Sequence, residues 1–138
     1  MSLNVILLNG ASSSGKSTLA RALRQRMRDT KREEYRVVSI DDFLDMTVHQ
    51  PVYEDDVFEI SHLLCQKALD ILNAGDGAII DHVITSERIY EQLMEALKDC
   101  ALITVQVTCP LSELEKREKK RGDRSIGSAK ASCEYLYP

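Results

Sequence analysis

Eight residues near the start of the chain, Gly10-Ala11-Ser12-Ser13-Ser14-Gly15-Lys16-Ser17, follow the spacing G-x-x-x-x-G-K-[ST]. They lie between an apolar run, Leu3 to Leu8, and a stretch of helical spacing that opens near Lys16. No other feature constrains the fold as strongly. A strand, a loop of small residues and a helix N-terminus in succession aim several backbone N–H groups at one point, where a polyphosphate fits. Gly10 and Gly15 permit backbone conformations that a Cβ obstructs. Lys16 reaches the β- and γ-phosphates, and the Ser17 hydroxyl suits Mg²⁺. The expected cradle is Gly10, Ala11, Ser12, Ser13, Ser14, Gly15, Lys16, Ser17 and Thr18.

The rest of the chain alternates strand and helix. Leu3 to Leu8 is nearly continuous apolar, which suits a parallel strand buried on both faces. Leu19, Leu23 and Met27 then recur every four residues, with arginines on the opposite face. Arg36 to Ile40 is a second strand, rich in β-branched residues. Met46 to Phe58, with Pro51 and the acids Glu54, Asp55 and Asp56, reads as an irregular surface segment. Ile60 to Asn73 is helical in period, and Gly75 and Gly77 bracket its end. Ala78 to Asp81 is a third strand, and Thr85 or Ser86 caps the helix that carries Ile89, Leu93 and Leu97. Ala101 to Val107 is a fourth strand. Pro110 opens a last helix, where Ser112 and Glu115 have capping-box spacing. This alternation predicts an open parallel α/β sheet. Residues 1–138 show no linker or repeat and are expected to form a single domain.

Three constellations carry chemistry. Asp41 directly follows the second strand, so it lies on the carboxyl edge of the sheet where ligands bind. A hydroxyl that attacks a phosphoryl group must shed a proton, and a carboxylate there takes it. A helix-capping or turn acid is the competing reading of Asp41, and position alone does not separate the two. Asp81 closes the third strand on the same edge, the usual place for an acid that orients Mg²⁺ or its waters. Holding the loop hydroxyls is an equal alternative for Asp81. Arg117, Arg121 and Arg124 share one face if the last helix persists, as a cover over phosphates would require. On pattern alone, a solvated face with pairs such as Glu113–Arg117 is slightly favoured. His49, His62 and His82 are assigned no role.

The formal net charge of −4 argues against a nucleic-acid or membrane-surface binder. The first residues lack a basic region, and the following apolar run is too short for a signal segment or a span. Four cysteines without C-x-x-C or zinc-ligand spacing suit a reducing cytoplasm.

The strings Leu7 to Ser17, Val38 to Asp41, Ile79 to Asp81 and above all Cys109 to Asp123-Arg124 resemble the chloramphenicol phosphotransferase-like proteins. The R-E-x-x-R-G-D-R string from Arg117 to Arg124 is the specific part. The resemblance implies an adenylate-kinase-like fold: a three-layer α/β sandwich of the P-loop NTPase type, its parallel sheet in the order 2-3-1-4. It also implies ATP-dependent phosphorylation of a small-molecule hydroxyl, with Mg²⁺. The base of that family maps to Asp41, and the arginines of its lid map to Arg117, Arg121 and Arg124 within a lid near 112–127. Members continue past the position of Pro138 with a further strand and helix. The expected sheet therefore lacks its fifth strand, and one edge stands open; the chain is truncated, or a second copy covers that edge. A nucleotide-binding remnant without turnover, or a nucleotide-sugar or polynucleotide kinase, are the alternatives to be tested.

Overall fold

The computed structural model describes residues 4–11, 15–44, 54–108, 112 and 116. Its elements follow one another as β1 (Val5–Gly10), α1 (Lys16–Lys31), β2 (Tyr35–Ser39), α2 (Asp41–Leu44), α3 (Glu54–Asn73), β3 (Gly77–His82), α4 (Glu87–Ala96) and β4 (Leu102–Val107). The strands form one sheet in the order β2-β3-β1-β4, with every pairing parallel. Fold class and strand order are those expected from the sequence.

The two-sided burial of β1 explains the layering. Side chains alternate across a strand, so an apolar run feeds two cores. Val5 and Leu7 join Val38, Ala78 and Ile80 on one face, under Leu64 and Ala68 of α3 and Ile89 and Leu93 of α4. Ile6 and Leu8 join Tyr35 and Ile79 on the other, where α1 lays down Ala20, Leu19, Leu23 and Met27. The Leu19/Leu23/Met27 stripe is half-buried rather than sealed; among the described residues α1 is the only helix packed on this face. β1 and β3 are buried at every position, as central strands should be. β4 is different: Ile103 is 49% exposed, and no described strand pairs with its outer edge.

Two expectations need correction. Glu54 to Phe58 is not irregular but the start of α3. Asp55 and Asp56 sit in the opening of a 20-residue helix, where negative charge complements the positive end of the helix dipole. Residues 45–53 lie outside the described residues. Gly75 does end the helix in left-handed backbone, with φ 97°. Gly77, in contrast, belongs to β3 and is required by packing. A Cβ built there would overlap the Tyr35 ring, and the Gly77 N–H is committed to Glu34 O at 2.9 Å. Gly77→Ala should therefore lower stability by about 2 kcal/mol, the usual cost of overpacking. In a Tyr35→Leu background the same change should cost far less. Denaturant melts of the four variants measure that coupling, and additive effects would refute the clash.

Ser86 is the cap of α4: its Oγ accepts the Ile89 N–H at 3.2 Å. Cys65 is buried, and burial pushes its thiol up to about 11, so it behaves as a small apolar group. Among the described residues no helix is long and apolar enough to cross a membrane.

Candidate active site

α1 begins without a side-chain cap. Gly15 holds the N-cap position in left-handed backbone, φ 98° and ψ 9°, and the first turn of the helix contains no acid. Its orphan N–H groups and dipole end are therefore left for an anion. Arg28 and Lys31 in the last turn match the opposite end. A Cβ at residue 15 would strain this turn, so the glycine is conformational as well as small.

β1 delivers the loop to the sheet's carboxyl edge, and Asn9 anchors it. Asn9 Oδ1 accepts the Ile84 N–H at 2.9 Å, and its Nδ2 donates to Gln106 Oε1 at 3.3 Å. One amide thus ties the loop's entry to the turn after β3 and to β4. Gly10 and Ala11 are buried beside it.

The centre of the edge is Asp81, at the end of β3 and only 3% exposed. Its Oδ2 accepts the Ser17 hydroxyl at 2.8 Å. Its Oδ1 faces Lys16 Nζ at 3.4 Å, and Lys16 also donates to Ala11 O at 3.4 Å. A buried carboxylate beside a buried ammonium needs these partners, because neither charge is solvated. Of the two readings left open for Asp81, holding the loop hydroxyl is what the geometry displays. The pair is also a fit for Mg²⁺: a hydroxyl and a carboxylate are hard oxygen donors, and this ion usually takes one or two such ligands plus phosphate and water. Among the described residues no group of three or more His, Cys, Asp or Glu is placed to hold a metal.

Asp41 opens α2, half-buried, with only Ile40 between it and the end of β2. The Ile40 N–H donates to Asp81 O at 2.9 Å, which extends the β2–β3 ladder by one rung and carries Asp41 to the Asp81 edge. The Asp41 N–H donates to Ser39 Oγ at 3.3 Å. The structure thus brings Lys16, Ser17, Asp81 and Asp41 to one edge of the sheet. Thr18 is exposed in the first turn of α1. Ser12, Ser13, Ser14, Arg117, Arg121 and Arg124 lie outside the described residues.

Two features had no usable signal in the sequence. Ser39 contacts Asp81 as well as Asp41, with its Oγ 3.4 Å from Asp81 Oδ2. His82 is fully buried, and its Nε2 lies 2.7 Å from Ser61 Oγ of α3. Burial drives its pKa down to about 4, aided by the Lys16 charge and opposed by Asp81 and Asp41. The Val83 backbone is the largest influence opposing burial, although Nδ1 has no hydrogen-bond partner among the described residues. The imidazole is therefore neutral near pH 7.

The family model described as chloramphenicol phosphotransferase-like protein matches residues 3–137. Solved structures of similar fold include kinases. The APS kinase CysC of Mycobacterium tuberculosis, in complex with AMPPNP and APS, superposes with a TM-score of 0.76 at 18% identity, over 99% of this chain and 84% of that one. A gluconokinase from Sinorhizobium meliloti gives 0.72 at 17% identity, over 98% and 75%. A sugar kinase from Janibacter gives 0.72 at 17% identity, over 99% and 79%. No curated protein matches the sequence.

Proposed function

Because the chain belongs to the chloramphenicol phosphotransferase-like family, we propose that it transfers the γ-phosphoryl group of ATP, with Mg²⁺, to a hydroxyl of a small molecule. The observation that carries this reading is the convergence of Lys16, Ser17, Asp81 and the Asp41 turn on one sheet edge, next to an uncapped helix N-terminus.

Each residue then has a separable task. The backbone of Gly10 to Thr18 binds the phosphates through N–H groups. Lys16 leaves Asp81 and draws negative charge from the β/γ oxygens. Ser17 and Asp81 would hold Mg²⁺, which would supply charge neutralisation at the phosphates. Asp41 accepts the proton of the acceptor hydroxyl as that oxygen attacks in line. Arg117, Arg121 and Arg124 complete the charge clamp from the lid. The acidic chain favours a small acceptor over a polynucleotide, whose phosphates it would repel. The outer edge of β4, which no described strand pairs with, is the surface on which a second copy would dock, and the cytoplasm is the compartment that such a nucleotide-dependent reaction and free thiols suit.

The test is incubation with γ-labelled ATP and panels of hydroxylated metabolites and antibiotics, with transfer read on the organic product. Label should reach one chemical class, and Lys16→Ala should cut the rate by at least about 100-fold, as the loss of a major charge stabiliser does. Nucleotide binding without transfer to any acceptor would identify a binding remnant instead.

A further inference from the structure

Asp81 Oδ2 is shared by hydroxyls from two different elements. Ser17 of α1 donates to it at 2.8 Å, and Ser39 at the end of β2 stands 3.4 Å away. The strand register places Ser39 directly beside Asp81. The same Ser39 oxygen accepts the Asp41 N–H at 3.3 Å. A serine hydroxyl donates once while its lone pairs accept, so both contacts form together. One carboxylate therefore connects the first turn of the phosphate-loop helix to the backbone of Asp41 through a single side chain.

We propose that Ser39 is a positioning residue that couples the phosphate loop to Asp41, so that a nucleotide in the loop sets the acceptor side. This rests on the phosphotransferase reading above and adds to it a residue which neither the loop motif nor the strand-end acids identify.

The argument follows from the burial of Asp81. With Ser17 making the shorter bond and Lys16 facing Oδ1, the Ser39 contact is long and weak. When Lys16 and Ser17 turn toward a nucleotide, a carboxylate that is 3% exposed loses both of these protein donors, and a metal shared with Ser17 would engage only part of its roughly four lone-pair sites. An under-satisfied buried carboxylate is costly, so the hydroxyl within reach is drawn in. Ser39 is that hydroxyl, and it is already bonded to the Asp41 amide. Tightening at Asp81 is thereby passed to the backbone at residue 41. The Ile40–Asp81 rung, at 2.9 Å, keeps the two strand ends at constant spacing, so the movement is confined to the serine and the turn it holds.

The test uses the full chain, ¹⁵N-labelled, with Mg·AMPPNP as the probe at saturation. In the unaltered chain the amides of Lys16, Ser17 and Asp41 should all shift. In Ser39→Ala the Lys16 and Ser17 shifts should persist while most of the Asp41 shift is lost. Ser39→Thr should restore it, and Ser39→Cys, a similar volume with a weak donor, should fall between. Thermal melts show that each variant is folded. In a transfer assay Ser39→Ala should lower kcat by about tenfold at saturating nucleotide, within the usual span of coupling between sites. An Asp41 amide that responds equally in Ser39→Ala overturns the coupling alone. A probe that moves neither Lys16 nor Ser17 overturns both the coupling and the proposed function. Asp41→Asn that keeps full transfer removes the base assignment, and a surviving amide response at residue 41 in that variant would still uphold the coupling.

Discussion

Replacing Asp41 by asparagine should reduce phosphoryl transfer by about a thousandfold, roughly 4 kcal/mol of barrier, and leave nucleotide affinity within about twofold. The two halves of this expectation have different origins. Asparagine matches aspartate in size but cannot take a proton, so an acceptor hydroxyl loses its base. The backbone at residue 41 is held by contacts that the substitution does not touch: the Ile40 N–H on Asp81 O and the Asp41 N–H on Ser39 Oγ. The proposed phosphate contacts belong to α1 and the loop before it, not to the turn at Asp41. Kinetics at saturating ATP, paired with calorimetric nucleotide titration, separate the two. Full activity in the variant would remove Asp41 from the role of base. A large loss of nucleotide affinity would move it to the nucleotide side of the site.

Asp41 was legible in the sequence because a general rule placed it. Ligands bind beyond the carboxyl ends of parallel strands, and an acid directly after a β-branched run falls there. Lys16 and Ser17 were legible for a similar reason, since the loop spacing specifies both. The layering was legible from β1, whose unbroken apolar run serves two faces. Ser39 was not. Its importance depends on standing opposite Asp81 across the β2–β3 pair, and register is a pairwise property that no single segment displays. The start of α3 was missed because three consecutive acids read as a solvated loop. They are equally the signature of a helix N-terminus, and the aromatic and apolar residues that follow, Val57 and Phe58, pack against the α3/α4 core. Gly77 was misread as a helix terminator because the ring that excludes a Cβ there belongs to Tyr35, 42 positions earlier.

Acidification should destabilise the protein through His82, by about 3 kcal/mol between pH 6.5 and pH 4. The imidazole is fully buried, and burial lowers its pKa from the ordinary 6.5 to about 4. The sign follows from proton counting. Between those values the unfolded chain carries a proton on this residue and the folded chain does not, so stability rises with pH and falls as protons are added. Below about pH 4 both states are protonated and the loss levels off. The groups that set the shift oppose one another: desolvation lowers it most, the Val83 backbone is the largest influence raising it, Lys16 repels the imidazolium, and Asp81 and Asp41 attract it. Comparison with His82→Gln isolates the residue. Glutamine retains a polar group for Ser61 Oγ but does not titrate, so its stability curve should be flatter by that amount, whatever its stability at neutral pH. Urea melts from pH 7 to pH 4 give both curves. Parallel curves would mean that His82 takes up its proton in the folded state as readily as in the unfolded one. The fold would then have to supply an acceptor for Nδ1, an atom that has no hydrogen-bond partner among the described residues.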